Sequence, residues 1–286
     1  MKNFTTIMLI NARLGTVCLF TLIQTHAQQQ QQHSSQNEKS VIIEKKIQEH
    51  EALITHRYSA DPSAHVFDNT IYIYASHDQS TETSYTDPVD KFDMIDYKVI
   101  SINEFFTKIT DHTIALKLED IPWAKRQLWA PDVAYANKKY YLYFPAKAKH
   151  GEFEIGVAIG NRPEGPFIAL PNSIPGSYSI DPAVFKDKDG KYYMYFGGIG
   201  GGDLQNNPKI KGLKKQLTLD YQPAVGPKIA KLKSNMVEFE TSPTDIMIVT
   251  KDGKPIREND KNKRFFEAAW MHLYKDKYYL SYSTGD

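Results

Sequence analysis

The fold is decided by a segment that reads Ser179-Ile180-Asp181-Pro182-Ala183-Val184-Phe185, followed by a turn at Asp187 to Gly190 and the aromatic run Tyr192-Tyr193-Met194-Tyr195. A carboxylate, a short β-type run, a turn and an aromatic strand follow one another within a few residues. Three further copies of this unit begin at Asp61, Asp132 and Glu267. A β unit repeated in this way predicts an all-β propeller, in which every sheet brings the same position to one axis.

Turn residues between short apolar runs predict β-hairpins at Asp68-Asn69, Asn137-Lys138, Asp187 to Gly190 and Asp252-Gly253. Successive carboxylates are 49 to 86 residues apart, and the longer intervals exceed the roughly 40–50 residues of one propeller blade. The sequence therefore predicts inserted loops, which we place at His77 to Tyr97, Gly200 to Ala230 and Asp252 to Lys263. Helical periodicity is scarce, and Glu38 to Glu51 is the best helical candidate.

The N-terminal residues are typical of an exported protein. We interpret residues 1–27 as a signal peptide, with Lys2 before a short apolar run and Thr25-His26-Ala27 as the cleavage site. Residues 28–40 form a polar linker, and residues 41–286 form the catalytic propeller domain. The only cysteine is Cys18, so the exported chain has no disulfide. This pattern favours a secreted or periplasmic protein of the bacterial envelope.

Charge excludes several classes of partner. The 286-residue chain has a formal net charge of +1, and residues 1–27 contribute only Lys2 and Arg13. The exported chain is therefore nearly neutral, which gives no reason to expect nucleic acid or an anionic membrane as a partner. The apolar run near the N-terminus is too short to span a membrane.

The three carboxylates Asp61, Asp181 and Glu267 are the candidate catalytic residues. Hydrolysis of a glycosidic bond needs one protonated carboxyl group, which protonates the leaving oxygen, and one ionised carboxylate. A third carboxylate nearby raises the pKa of the acid by like-charge repulsion. The alternative for each residue is an Asp or Glu that caps backbone N–H groups in a turn. Because the three occupy matching places in a repeat, we favour catalysis.

Several motifs give the chain a resemblance to glycoside hydrolase family 43, whose members are five-bladed propellers that act on arabinose- and xylose-containing polysaccharides. The resemblance covers about Thr55 to the end of the chain. The motifs are His56-Arg57-Tyr58-Ser59-Ala60-Asp61-Pro62-Ser63-Ala64, Ser76-His77-Asp78, Leu128-Trp129-Ala130-Pro131-Asp132-Val133, Gly165-Pro166-Phe167, Ser179-Ile180-Asp181-Pro182-Ala183-Val184-Phe185, Phe196-Gly197-Gly198 and Phe265-Phe266-Glu267.

The resemblance implies a role for each carboxylate. Asp61 would be the general base, Asp181 the residue that modulates the pKa of the acid and orients the sugar, and Glu267 the general acid. The implied mechanism inverts the anomeric configuration, with base and acid about 6.5–9.5 Å apart. The implied substrate is an oligosaccharide or polysaccharide of the plant cell wall, from which the enzyme releases xylose or arabinofuranose.

The chain departs from the family in two places. Family members often have Gly-Pro after the acid, whereas Ala268-Ala269 follow Glu267 here. The fifth, C-terminal blade of the family has no match in this sequence, and that blade supplies a histidine near a calcium ion or a water. We therefore assign no metal ligand and expect no cofactor for hydrolysis. A structural calcium is expected only in a complete propeller.

Four further residues are candidates for substrate binding. Trp129 could stack on a sugar ring or pack at the start of a strand, and Asp132 could face the axis or accept structural hydrogen bonds. His77 and Asp78 follow the first aromatic strand and are candidates for the pocket wall, although a loop histidine is more often satisfied by neighbouring groups. We interpret Trp270 and His272 as packing residues, Asp87-Pro88 as a turn and Gly197 to Gly202 as a loop at the pocket rim.

Two other functions stay open at the level of sequence, and a third is disfavoured. An endo-acting arabinanase differs from an exo-acting enzyme by a groove in place of a pocket. A non-catalytic carbohydrate-binding propeller would fit the altered residues after Glu267. A related propeller family that acts on fructans has an Asn-Asp-Pro-Asn-type motif at the first carboxylate, which this chain lacks. The sequence gives no indication of oligomeric state.

Overall fold

The structure is a computed structural model that describes residues 39–44, 51–78, 92–199 and 221–285. The predicted signal peptide, most of the linker, Asp87-Pro88 and Gly200 to Gly202 lie outside the described residues. The described residues contain sixteen β-strands, one short 3₁₀ turn at Leu118–Asp120 and no α-helix.

The strands form three sheets and one hairpin. The first sheet has the order β1-β5-β4-β3-β2, the second has β10-β9-β8-β6 with β7 also paired to β8, the third has β11-β12-β13-β14, and β15 pairs with β16. The strand bounds are β1 Val41–Glu44, β2 Ala60–Phe67, β3 Thr70–Ser76, β4 Asp96–Ile102, β5 Lys108–Lys117, β6 Ala124–Arg126, β7 Asp132–Ala136, β8 Lys139–Ala148, β9 Phe153–Gly160, β10 Phe167–Ala169, β11 Ala183–Lys186, β12 Tyr192–Phe196, β13 Lys228–Lys231, β14 Thr244–Asp245, β15 Glu267–Tyr274 and β16 Lys277–Ser283.

The strands that carry the repeated motif lie side by side. β2 contacts β7, β7 contacts β11, and β11 contacts β15, so one edge of each sheet faces the next edge. Successive sheets therefore turn about a common axis, as the blades of a propeller do. This arrangement confirms the predicted all-β propeller and brings the start of each motif to the same end of that axis.

Tight turns fix the register of the hairpins. Asp68-Asn69 and Asn137-Lys138 each place two consecutive residues at positive φ, between 48° and 59°, which is the conformation of a two-residue turn that matches the strand twist. Lys275-Asp276 adopts the same conformation with φ of 45° and 61°, although its sequence is a weaker turn signal. The predicted hairpins at Asp68-Asn69, Asn137-Lys138 and Asp187 to Gly190 are confirmed by antiparallel pairing on both sides.

Apolar side chains fill the spaces between neighbouring sheets. Tyr74, Val99, Leu142 and Phe144 belong to the cluster between the first and second sheets. A second cluster joins the second and third sheets, and a third cluster, around Phe265, joins the third sheet to the hairpin. Each interface buries large aromatic and branched side chains, and this packing fixes the angle between sheets.

One predicted element is wrong. The helix proposed for Glu38 to Glu51 is not formed at Val41–Glu44, where β1 pairs antiparallel with β5 in the outer part of the first sheet. The run Val41-Ile42-Ile43 is β-branched, and pairing with an available sheet edge outweighs the weak helical periodicity.

The predicted insertions match the structure only in part. β4 begins at Asp96, inside the segment predicted as a loop from His77 to Tyr97. Residues 79–91 and 200–220 lie outside the described residues. Asp252 to Lys263 contains turns and takes part in two isolated antiparallel bridges, Val249–Pro255 and Pro223–Arg257. The first bridge closes a short hairpin about the predicted turn at Asp252-Gly253, with the Thr250 N–H donating to the Lys254 carbonyl oxygen at 2.8 Å.

Candidate active site

A cavity of about 730 Å³ opens at the axis, where the starts of the repeated motifs meet. Asp61, Asp181 and Glu267 all line it, together with a fourth carboxylate, Asp78. Its size falls within the roughly 300–1,000 Å³ of small-molecule sites. The structure thus brings together the three carboxylates that the sequence selected as catalytic.

Asp61 is held at an irregularity in its strand. The pairing between β2 and β3 shifts register between Ala60 and Ser63, and Asp61 adopts φ 49°. A bulge of this kind turns a side chain away from the ordinary alternation of a strand, and aspartate tolerates positive φ better than most residues. Burial, and next the charge of Asp78, raises the pKa of the Asp61 carboxyl.

Asp181 has the most strongly shifted carboxyl of the three. Part of its surface faces the cavity, while protein atoms surround the remainder. Burial, and then the charges of Glu267 and Asp61, raises its pKa to about 8, against the opposing effect of a hydrogen bond from the Ala268 N–H. Asp181 also adopts φ 55°, almost the value of Asp61. The matching backbone shows that the two motifs are structural equivalents.

Glu267 lies at the beginning of a second bulge. The pairing of β15 with β16 shifts register between Glu267 and Trp270, and Ala268 adopts φ 59°. The Ala268 N–H donates to Asp181 Oδ2 at 3.0 Å, which fixes the bulge against the third sheet. Burial, and then the charge of Asp61, raises the pKa of Glu267. A raised pKa suits a group that must carry a proton near neutral pH.

The backbone beneath Glu267 is closely packed. A Cβ added at Gly198 would lie 2.5 Å from Ile180 Cδ1 and 3.5 Å from Glu267 Cβ. The Gly198 N–H donates to Ser179 Oγ at 3.0 Å, which ties this segment to the motif of Asp181. Only a glycine lets the segment after β12 approach Ile180 and Glu267 so closely.

Two of the four predicted binding residues line the cavity. Trp129 lies in its wall, donates its indole N–H to the Phe92 carbonyl oxygen at 2.7 Å, and packs on Phe153 with ring centroids 4.5 Å apart. Asp78 is exposed in the same cavity and acts on the charge of Asp61.

The other two do not line it. Asp132 is fully buried, accepts the Val184 N–H at 2.6 Å and lies 2.6 Å from His65 Nε2. This geometry matches the structural alternative for Asp132. His77 Nδ1 lies 2.9 Å from Asp96 Oδ1, so this histidine pairs within its own sheet.

Comparison with known proteins adds a family to this geometry. The sequence model of the glycosyl hydrolases family 43 matches residues 52–286. The chain belongs to glycoside hydrolase family 43. A xylosidase/arabinosidase 43A of Humicola insolens is 50% identical over 244 residues, covering 82% of this chain and 75% of that protein. A xylosidase/arabinosidase of Bacteroides ovatus is 48% identical over 236 residues, covering 82% of this chain and 73% of that protein.

A solved structure agrees with these relatives. A family 43 β-xylosidase/α-arabinofuranosidase from a compost microbial metagenome, in complex with xylotriose and in calcium-free form, superimposes with a TM-score of 0.79 at 53% identity, covering 86% of this chain and 75% of that one. The structural neighbours of this family 43 chain are five-bladed propellers. The prediction of a glycosidase is confirmed, and these relatives give no support to the non-catalytic alternative. The absent fifth blade stays a prediction.

Sequence reasoning missed part of the family 43 cavity. Trp270, interpreted as a packing residue, lines the cavity, as do Phe92, Met94 and Phe266. The bulge after Glu267 turns Trp270 towards the cavity, and no local sequence pattern predicts such a bulge. His272, by contrast, stacks on Tyr279 with ring centroids 5.3 Å apart, as a packing residue does. Ile199 lines the cavity, at the start of the predicted rim loop.

No group of three or more acidic, histidine or cysteine residues within the described ranges could hold a metal ion. The structural calcium of a complete propeller therefore stays a prediction, and no step of the chemistry below uses it. Within the same ranges, no helix has the length and apolar character needed to cross a membrane.

The shifted pKa of Asp181 predicts a gain in stability on its removal. The folded carboxyl has a pKa of about 8 against an ordinary value of 3.8, so the folded state holds a proton that the unfolded state releases. Stability therefore falls as pH rises from about 4 to 8. We expect Asp181→Asn to raise the unfolding temperature, with a larger gain at pH 8 than at pH 4. Thermal unfolding monitored by circular dichroism across this range measures it, and a gain independent of pH would contradict the assignment.

Proposed function

We propose that this chain is a secreted, inverting, exo-acting glycosidase that releases xylose or arabinofuranose from plant cell-wall oligosaccharides. The observation that carries the proposal is the convergence of Asp61, Asp181 and Glu267 on one cavity, with the pKa of each raised by burial and by the charge of a neighbouring carboxylate. The names of the relatives from Humicola insolens and Bacteroides ovatus, and the xylotriose complex of the structural neighbour, support these sugars.

In the proposed reaction Asp61 is the general base and Glu267 the general acid. Asp61 removes a proton from a water molecule, whose oxygen attacks the anomeric carbon on the face opposite the leaving group. Glu267 donates its proton to the glycosidic oxygen as the bond to the anomeric carbon breaks. The register shifts at both residues are consistent with a pair of carboxyl groups turned into one cavity from two different sheets.

Asp181 has a more specific role in this scheme than charge repulsion. With a pKa of about 8, its carboxyl is mostly protonated at neutral pH. The charge that keeps Glu267 protonated therefore comes chiefly from Asp61, in addition to burial. We propose that Asp181 modulates the coupled titration of the three groups, holds the Ala268 N–H and presents its protonated oxygen to a sugar hydroxyl.

The wall of the cavity supports a sugar as the ligand. Trp129 and Trp270 present aromatic surface to the same space as the four carboxyl groups. Aromatic faces suit the apolar face of a sugar ring, and carboxyl groups suit its hydroxyls. Trp129 and Asp78 are the residues that we propose for substrate binding.

An endo-arabinanase remains the second candidate in this family. An extracellular endo-arabinanase of Bacillus subtilis is 30% identical over 171 residues, covering 52% of this chain and 35% of that protein. The much higher identity to the xylosidase/arabinosidases favours exo-acting release of pentose. Export rests on the predicted signal peptide at residues 1–27.

Hydrolysis of xylotriose, α-1,5-arabinotriose and 4-nitrophenyl pentosides by the purified protein tests the proposal. We expect release of a single pentose from the chain end. Release of internal fragments from debranched arabinan, with no turnover of the short substrates, would favour the endo-arabinanase. No turnover of any of these substrates would contradict the proposed function.

A further inference from the structure

A second set of contacts lies just beyond the catalytic carboxylates, further along the same strands. His65 follows Asp61 by four residues on β2, and Trp270 follows Glu267 by three on β15. In the third sheet Val184 follows Asp181 by three, and the second sheet contributes Asp132 at the start of β7. These four residues, His65, Asp132, Val184 and Trp270, are here called the axial cluster.

The axial cluster connects all three sheets and the hairpin. His65 Nε2 lies 2.6 Å from Asp132 Oδ1, and the Val184 N–H donates to Asp132 Oδ2 at 2.6 Å. The ring of Trp270 lies against the ring of His65 with centroids 5.6 Å apart. Asp132 is fully buried, and the side chain of His65 is 21% exposed. One buried carboxylate and one imidazole therefore join β2, β7, β11 and β15.

We propose that His65 and Asp132 are positioning residues, which hold the bulge of Glu267 in the geometry that protonation of the leaving oxygen requires. The two carboxylate oxygens of Asp132 have partners on two different sheets. A buried carboxylate that loses a partner is left with an uncompensated charge, so the local structure must shift to restore one. The pair thus resists relative movement of β2, β7 and β11.

Trp270 connects the His65–Asp132 pair to the general acid, Glu267. Trp270 belongs both to the axial cluster and to the cavity wall, and the register shift between Glu267 and Trp270 makes them the two ends of one bulge. A smaller side chain at position 65 would remove the ring that supports Trp270. The bulge could then relax and turn Glu267 away from the leaving oxygen, and catalysis is sensitive to displacements of about 1 Å.

The contact between His65 and Asp132 depends on pH. Burial lowers the pKa of His65, but the charge of Asp132 and its hydrogen bond outweigh burial, so that the pKa is raised. Tyr74 is the other titratable group that faces the imidazole, with ring centroids 6.5 Å apart. Because the folded pKa exceeds the unfolded value, the ion pair stabilises the fold fully below pH 6.5 and loses this contribution as pH rises through the folded pKa.

The test compares His65→Gln with His56→Gln, both assayed in the full chain. His56 also pairs with a buried aspartate, Asp111, at 2.7 Å, but Arg57 binds the same carboxylate and the pair lies on the outer strand β5. We expect His65→Gln to lower kcat for xylobiose by about tenfold or more. The kcat for an activated aryl xyloside, whose leaving group needs little protonation, should fall by less than about threefold. KM should change little, and His56→Gln should resemble the wild type in all three.

A reduced fraction of folded protein would lower both rates equally, so the ratio between the two substrates separates positioning from simple loss of stability. The decline in stability above pH 6.5 should be smaller in His65→Gln than in the wild type, by the part that the His65–Asp132 pair contributes, while the decline that Asp181 causes remains. Equal losses on both substrates, or rates like those of the wild type, would overturn the proposal.

A readout without turnover keeps this inference separate from the proposed function. A crystal structure of His65→Gln, compared with one of the wild type, should show a displaced Trp270 ring and a changed bulge at Glu267. An unmoved Trp270 and Glu267 would overturn the positioning role even if the protein is an active pentosidase. A displaced Trp270 in a protein that hydrolyses no pentoside would instead leave the positioning role intact and remove the proposed function.

Discussion

Replacement of Glu267 by alanine is expected to lower kcat on xylobiose by about 10³-fold, because general acid catalysis contributes roughly 10²–10⁴-fold. The effect should depend on the leaving group. An aryl xyloside whose phenol leaves as a stable anion needs little protonation, and its hydrolysis should fall far less. Steady-state kinetics over a series of aryl xylosides, with xylobiose as the unactivated limit, measures this difference. The rate of Glu267→Ala should depend more steeply on the pKa of the leaving group than the rate of the wild type does.

The matched control for Glu267 is Glu240→Ala. Glu240 is an exposed glutamate that pairs with Lys231 at 2.8 Å, outside the cavity. Its removal should leave kcat and the leaving-group dependence unchanged. If Glu267→Ala hydrolysed xylobiose at the rate of the wild type, the acid would have to be another residue.

Replacement of Asp61 by asparagine is expected to abolish turnover of every substrate, by about 10³-fold or more, with no dependence on the leaving group. The amide cannot accept a proton from the attacking water, and departure of the aglycone does not replace this step. Asparagine fits the backbone, because it tolerates the φ of 49° that Asp61 adopts. Binding of xylotriose, measured by isothermal titration calorimetry, should therefore remain.

A suitable control for this substitution is Asp68→Asn. Asp68 is also exposed and adopts φ 48°, but it lies in the turn between β2 and β3 and away from the cavity. Normal rates for Asp68→Asn together with an inactive Asp61→Asn would separate chemistry from backbone conformation. Substantial activity of Asp61→Asn on all substrates would refute its assignment as the base.

The parts of the fold that follow local rules could be predicted from the sequence. Asp68-Asn69 and Asn137-Lys138 select turns with two residues at positive φ, and the structure has those turns. The repeat of a carboxylate before a β run predicted that Asp61, Asp181 and Glu267 converge, because equivalent positions of a propeller meet at its axis. The cavity contains all three.

The parts that depend on contacts between distant strands could not be predicted. Val41–Glu44 is a strand because β5 offers a free edge, which no local periodicity indicates. Asp132 follows the proline of its motif, whereas Asp61 and Asp181 precede theirs. Its carboxylate contacts His65 and the Val184 N–H in place of the cavity. Trp270 reaches the cavity only through the bulge after Glu267.

The residues after the general acid, Glu267, differ from those common in the family, and the backbone conformation explains how the chain accommodates the difference. Ala268 stands where relatives often have glycine, and it adopts φ 59°, a conformation that glycine accepts at little cost. The hydrogen bond from Ala268 to Asp181 holds this conformation without glycine. The local geometry at Glu267 therefore does not require the usual residue pair.

The anomeric configuration of the first product tests most directly whether Asp61 and Glu267 work together across one sugar. Proton NMR, recorded within the first minutes of xylotriose hydrolysis and before mutarotation, resolves the two anomers of the released xylose. A base that activates water on the face opposite the leaving group predicts α-xylose from the β-linked substrate. Initial appearance of β-xylose would mean that a carboxylate attacks the sugar directly, and would contradict the account.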